Sequence, residues 1–214
     1  MSAFHVKKGF VLTITLIALN VIVYVYTAVL SGNFAEISYQ ILKQYGQFNQ
    51  YVLDGGYWQL FTAMFVHVDI VHLLGNMFFL LIFGLRAEEL FKPVEYVLIY
   101  LLSGLAGNLL TLLFGPSMVS AGASGAIFGI FGACIIYLRH AFGQSIIGAL
   151  FYAFFMLMIS AGQGVNNLAH FGGVLVGLLL GYLIAGGRKQ KTVYRYNYSF
   201  SVHWRTMEAL KLQP

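Results

Sequence analysis

LAHFGGVLVGLLLGYLIA, Leu168–Ala185, runs eighteen residues without an aspartate, glutamate, lysine or arginine. An α-helix rises ~1.5 Å per residue, and about 20 apolar residues cross the ~30 Å hydrocarbon core of a bilayer. Five other stretches read the same way: Gly9–Leu30, Ile70–Leu85, Val94–Phe114, Ser124–Leu138 and Ser145–Ala161. They are too long for strands and lack sustained period-2 alternation. The composition agrees. Of 214 residues, 59% are hydrophobic and 9% charged, where soluble domains carry roughly 45–50% and about 25%. Such a chain is neither disordered, nor a disulfide scaffold, nor an ordinary cytosolic enzyme. Cys134 is the single cysteine, so no intrachain disulfide and no multi-cysteine metal site can form. The expected fold is all-α: a polytopic membrane protein with six transmembrane helices in residues 1–190, followed by a C-terminal tail, 191–214.

The basic residues orient the spans. With the N-terminus in the cytoplasm, eleven of the twelve Lys and Arg residues fall inside and only Lys43 outside. The expected topology places both termini in the cytoplasm of a multi-pass cell-membrane protein. The net charge of +5 then reflects topology and calls for no nucleic-acid partner. The first apolar run is longer than the 7–15 residues of a signal peptide and is read as a retained span. Between spans 1 and 2, Phe34, Ile37, Ile41, Leu42 and Tyr45 recur at helical spacing and predict an amphipathic helix at the outer interface. Tyr57, Trp58, Phe61 and Phe65 read as interfacial anchors. In the tail, apolar and polar residues alternate from Tyr194 to Trp204, the period of a strand.

Polar side chains inside spans are costly and therefore candidates for function. Span 2 carries His72 and Asn76, four residues apart on one helix face. Span 4 opens with Ser124 and span 6 with His170. Counting from Arg86, Arg139 and Arg188 at the inner ends, Ser124, His170, His72 and Asn76 lie about 22, 27, 21 and 15 Å above the inner rim. A nucleophile, a base and two hydrogen-bond donors thus come from three helices at similar depth. Taken singly, each has a plainer reading: the serine bonding its own helix, the histidine at an interface, the asparagine joining helices. Gly125, Gly129 and Gly132 on span 4 and Gly173, Gly177 and Gly181 on span 6 form stripes that allow close backbone approach. Contact along them puts Ser124 beside His170, and a hydroxyl needs a base in hydrogen-bond reach to act as a nucleophile. None of the seven acids is well placed as a third member; Asp69, at the mouth of span 2, reads as solvated. The expected constellation is a Ser–His dyad whose imidazole is oriented by packing.

These residues resemble the rhomboid family of intramembrane serine proteases over about residues 50–187. GGYWQLFTAMFVH, Gly55–His67, looks like the family's first-loop signature. His72–Asn76 matches its HxxxN, Gly122–Gly125 its GxSG, and Ala169-His170 with Gly173 and Gly177 its AH followed by GxxxG. The resemblance implies Ser124 as nucleophile and His170 as general base. It also implies an oxyanion hole of His72, Asn76 and the Ser124 backbone N–H, with no cofactor. Implied substrates are transmembrane segments of other proteins, cut near the outer face at small residues beside helix-destabilising ones. Two positions depart from the family pattern: Gln59 stands where an arginine usually follows the tryptophan, and Phe128 where a tyrosine often stacks on the histidine.

Peptide hydrolysis needs water, so the site is expected in a polar cavity open to the outer side. Residues Gly162–Asn167 are the candidate mobile cap. Other readings are an inactive rhomboid-like protein that binds membrane clients, or a small transporter. The transporter lacks an inverted repeat or a clearly buried acid. A zinc protease lacks its HExxH, and the spacing of His67 and His72 predicts different helix faces for them.

Overall fold

The computed structural model describes residues 10–160, 162 and 165–188. The alternating segment Tyr194–Trp204 and the rest of the tail, 191–214, lie outside these residues. The described chain is helical: α1 Val11–Ser31, α2 Tyr39–Tyr45, α3 Asn49–Leu53, α4 Gln59–Thr62, α5 Ile70–Leu90, α6 Pro93–Thr111, α7 Ser124–Ala141, α8 Ile146–Ser160 and α9 Asn167–Gly187. Helices α1, α5, α6 (with the 3₁₀ turn to Phe114), α7 and α9 are long and apolar enough to cross a membrane. Helix α8 is as apolar, but its fifteen residues reach only about 22 Å.

Local signals set the helix ends. Asp69 caps α5, its carboxylate accepting from the His72 N–H at 2.7 Å. Pro93 occupies the first turn of α6, and the Glu95 carboxylate accepts from the Lys92 N–H at 2.7 Å. Gly32, at φ 65°, ends α1 in the left-handed conformation. Helix α5 runs five residues past the apolar stretch that predicted it, because Arg86 and Glu89 pair one turn apart and continue the helix into its polar end.

Helix α7 is the centre of the bundle, with 56% of its span buried against 28% for α1. It is packed by α5, α6 and α9. The closest packing is between α7 and α9, where glycines interleave. A Cβ on Gly173 would lie 2.7 Å from the carbonyl carbon of Gly125, and one on Gly177 would lie 2.6 Å from that of Gly129. At the far end from Ser124, Arg188 donates to Leu90 O at 2.6 Å and to Tyr137 Oη at 2.8 Å, and pairs with Glu95. One side chain thus ties α5, α6, α7 and α9 together. Large apolar side chains cover the outside, Val71, Val94, Leu113 and Ile147 among them, as lipid contact requires.

The loop between α1 and α5 differs from its prediction. Of the stretch from Phe34 to Tyr45, only Tyr39–Tyr45 is helical. Residues 35–37 run extended against the chain before α5, with Ile37 N–H donating to Val68 O at 2.8 Å and Ile70 N–H to Ala35 O at 3.1 Å. Ile37 is buried by this pairing and Phe34 is exposed, so the two never share a helix face. Tyr57, Trp58 and Phe61 are exposed on this loop, while Phe65 tilts against Tyr100 at 6.0 Å. The loop is anchored by a two-stranded antiparallel pair, β1 Gln47–Phe48 with β2 Val119–Ser120. The buried Gln59 completes the anchor: its Oε1 accepts from Phe48 N–H at 2.8 Å, and its Nε2 donates to Lys43 O at 2.7 Å and Gln44 O at 3.1 Å. A neutral amide therefore makes the loop's hydrogen bonds at the position where an arginine was the family expectation.

Candidate active site

Ser124 is the first residue of α7, where helix amides have no intrahelical acceptor. The preceding residue, Ala123, brings no side-chain cap. The amide end of α7 is therefore open to an anionic group. Gly122 makes the approach to it possible. At φ 138° it adopts a backbone that other residues rarely reach. A Cβ there would stand 3.0 Å from His72 Nε2 and 3.8 Å from Ser124 Oγ. The His72 ring, the Gly122 backbone and the Ser124 hydroxyl thus converge with no side chain between them.

His170 lies one turn into α9, whose start is fixed by Asn166. The Asn166 Oδ1 accepts from Ala169 N–H at 2.9 Å, and its Nδ2 donates to Thr111 Oγ1 at 2.7 Å and Ser120 Oγ at 2.8 Å. The end of the proposed cap nearest α9 is pinned by these bonds. Positions 163 and 164 of the cap lie outside the described residues. The glycine contact of α7 with α9 brings Ser124 Oγ to 2.9 Å from His170 Nε2. The Phe128 ring lies against the imidazole face, with centroids 4.3 Å apart and planes 15° apart.

His72 and Asn76 face the same cavity of about 580 Å³, with Ser124, His170 and Asn166. All four sequence-predicted site residues therefore line one space. Asn76 is 7% exposed and spends one N–H on His72 O at 2.9 Å, leaving a second for another acceptor. His72 Nδ1 is buried, with no partner among the described residues. That atom is best left as the lone pair, which puts the proton on Nε2. A second, apolar cavity of about 320 Å³ adjoins Ser124 between α5, α7 and α8, lined by Phe79, Phe83, Phe131 and Met156.

Three neighbours escaped sequence reasoning. Asp69 is the cap that seats the first turn of α5 under His72, where a solvated acid was expected. His67 precedes α5, so the helix-face argument does not apply to it. Its ring meets that of His72 edge-on at 5.2 Å. It is fully buried, and burial pushes its pKa down to about 3, so it packs as a neutral ring. Ser160, the last residue of α8, has its Oγ 3.3 Å from His170 Nδ1. Its one sequence signal was a polar residue at the end of an apolar run, at the level of Ser124 and His170.

The helical membrane bundle with this Ser–His contact defines a class, and comparison with known proteins gives its family. The Rhomboid domain model matches residues 54–187. The chain is 41% identical over 133 residues to RHOMBOID-like protein 6, mitochondrial, of Arabidopsis thaliana, covering 59% of this chain and 43% of the relative. It is 38% identical over 132 residues to RHOMBOID-like protein 1 of the same plant, covering 59% of this chain and 34% of the relative. Rhomboid-like protease 3 of Toxoplasma gondii is 28% identical over 174 residues, covering 75% of this chain and 64% of that protein. The chain spans less than half the length of these plant relatives and belongs to the rhomboid family.

Proposed function

We propose that this protein is an intramembrane serine endopeptidase that cuts transmembrane segments of other membrane proteins near the outer face of the cell membrane. Six spans and both termini on the cytoplasmic side form part of this proposal, resting on the eleven-to-one distribution of basic residues. The observation that carries the reading is the 2.9 Å contact of Ser124 Oγ with His170 Nε2 beside His72 and Asn76 in one cavity.

The chemistry follows from those atoms. Ser124 Oγ attacks the scissile carbonyl carbon as its proton passes to His170 Nε2. The carbonyl oxygen becomes an oxyanion and accepts from the Ser124 backbone N–H, the free Asn76 N–H and His72 Nε2–H. Collapse breaks the C–N bond, and the amine leaves with the proton from His170. Water, deprotonated by the same nitrogen, then hydrolyses the acyl ester and restores Ser124. These steps use the chain's own side chains, one backbone amide and water. The polar cavity supplies the water, and the adjoining apolar cavity suits the side chain of a segment arriving from lipid.

Purified protein in a bilayer, given a reporter transmembrane segment, tests the reading. Wild type should cleave it. Ser124→Ala and His170→Ala should abolish cleavage while leaving thermal stability nearly unchanged, and the double variant should be no worse than either. Residual Ser124→Ala activity within tenfold of wild type would remove Ser124 as nucleophile. Segment binding without cleavage by wild type would favour the client-binding reading, and solute flux a transporter.

A further inference from the structure

We propose that Ser160 is a positioning residue that holds the His170 imidazole in its reactive tautomer; the inference rests on the protease reading of the same site.

The argument is one of proton accounting. A serine hydroxyl has one proton to give. Of the two acceptors in reach of Ser160 Oγ, Leu157 O at 3.0 Å, one turn back on α8, is nearer than His170 Nδ1, so the proton is assigned to Leu157 O. Toward His170 Nδ1, 3.3 Å away, Ser160 Oγ can then only accept. Nδ1 must carry the ring proton, and Nε2 is left with the lone pair facing Ser124 Oγ. The chain Ser124 Oγ–H to Nε2, Nδ1–H to Ser160 Oγ, and Ser160 Oγ–H to Leu157 O has one consistent direction. It is the direction a general base requires. When Nε2 takes the serine proton the ring becomes cationic, and Nδ1–H becomes a charge-assisted donor. The Ser160 bond is therefore stronger in the transition state than at rest, which is what makes an interaction accelerate a reaction.

Phe128 cannot do this work. Stacked on the ring face, it restrains tilt but leaves rotation within the ring plane free. No carboxylate shares a hydrogen bond with His170 among the described residues. Ser160 occupies the place that a triad's third member fills elsewhere, with a neutral acceptor suited to a site among apolar helices.

Ser160→Ala, Ser160→Val and Ser160→Thr in the full chain test this, read by cleavage kinetics and by ¹⁵N NMR of labelled histidine, with His170 assigned from the His170→Asn spectrum. Wild type should show His170 as the Nδ1–H tautomer. Ser160→Ala and Ser160→Val should shift it toward a mixture and lower kcat by about 10–100-fold, with KM within about twofold. Ser160→Thr should recover the tautomer and kcat to within about threefold, although threonine and valine have nearly the same shape. An unchanged tautomer with kcat within threefold in Ser160→Ala would overturn the proposal, as would equal losses in Ser160→Thr and Ser160→Val, which would mark a packing role. If wild type gives no Ser124-dependent cleavage, the protease reading fails, and the tautomer shift alone still decides whether Ser160 sets the ring.

Discussion

Replacing Gly173 by alanine tests the link between helix packing and catalysis. Its Cβ would lie 2.7 Å from the Gly125 carbonyl carbon and 3.1 Å from Gly125 Cα, where carbon atoms at rest stand about 3.5–4.0 Å apart. Both groups are backbone, so no rotamer change relieves the overlap, and α7 and α9 must part by about 1 Å. Overpacking of this kind costs about 1–3 kcal/mol. The position makes it more than a stability change: Gly125 follows Ser124, and Gly173 is one turn from His170. Adding ~1 Å to a 2.9 Å contact takes it beyond hydrogen-bond range, and a misplacement of that size can cost about 10² in rate. Gly181→Ala is the matched control. It presses on Ala133, with Cβ 2.7 Å from its Cα, but lies about 16 Å along α9 from His170. Gly186→Ala meets nothing within 4 Å. The assay is kcat on a reporter segment beside thermal unfolding of the same samples. Gly173→Ala should lose about 100-fold in kcat, Gly181→Ala should lose similar stability with kcat within about fivefold, and Gly186→Ala should change neither. A Gly173→Ala protein with kcat within threefold of wild type would refute the argument that glycine contact sets the dyad distance.

Other outcomes follow from single contacts. Asn76→Ala should lower kcat by about 10²–10³ with little change in KM; a kcat within threefold of wild type would move Asn76 out of the oxyanion site. Gln59→Ala should leave the Phe48 amide and the Lys43 and Gln44 carbonyls without their partner, and cost about 1–3 kcal/mol of stability, seen as a lower Tm with kcat kept in the folded fraction. Residues 191–214 are proposed as a tail separate from the membrane domain, so a chain ending at Gln190 should retain catalysis; lost activity at unchanged Tm would show that the tail serves the site.

Properties that depend on neighbours along the chain were legible in the residues alone. Apolar run length gave the membrane helices, because a bilayer forces backbone polar groups to pair within one segment. Glycine spacing gave the α7–α9 contact, because a stripe at four-residue intervals stays on one face through successive turns. Depth counted from Arg139 and Arg188 brought Ser124 and His170 to one level, because helix rise is constant. Where a property depended on atoms from distant segments, the sequence was silent or misleading. The loop pattern from Phe34 to Tyr45 read as one helix, but Ile37 pairs with Val68 across the chain, and backbone hydrogen bonds to another segment outweighed local periodicity. Gln59 read as a departure, yet its amide reaches three backbone groups from the β1 region. Ser160 reaches His170 only because α8 returns beside α9, and the direction of its hydrogen bond depends on a second acceptor, Leu157 O. Hydrophobic period and helix rise are local and repeat, so one chain displays them; hydrogen-bond partners across helices exist only once tertiary packing has fixed which atoms meet.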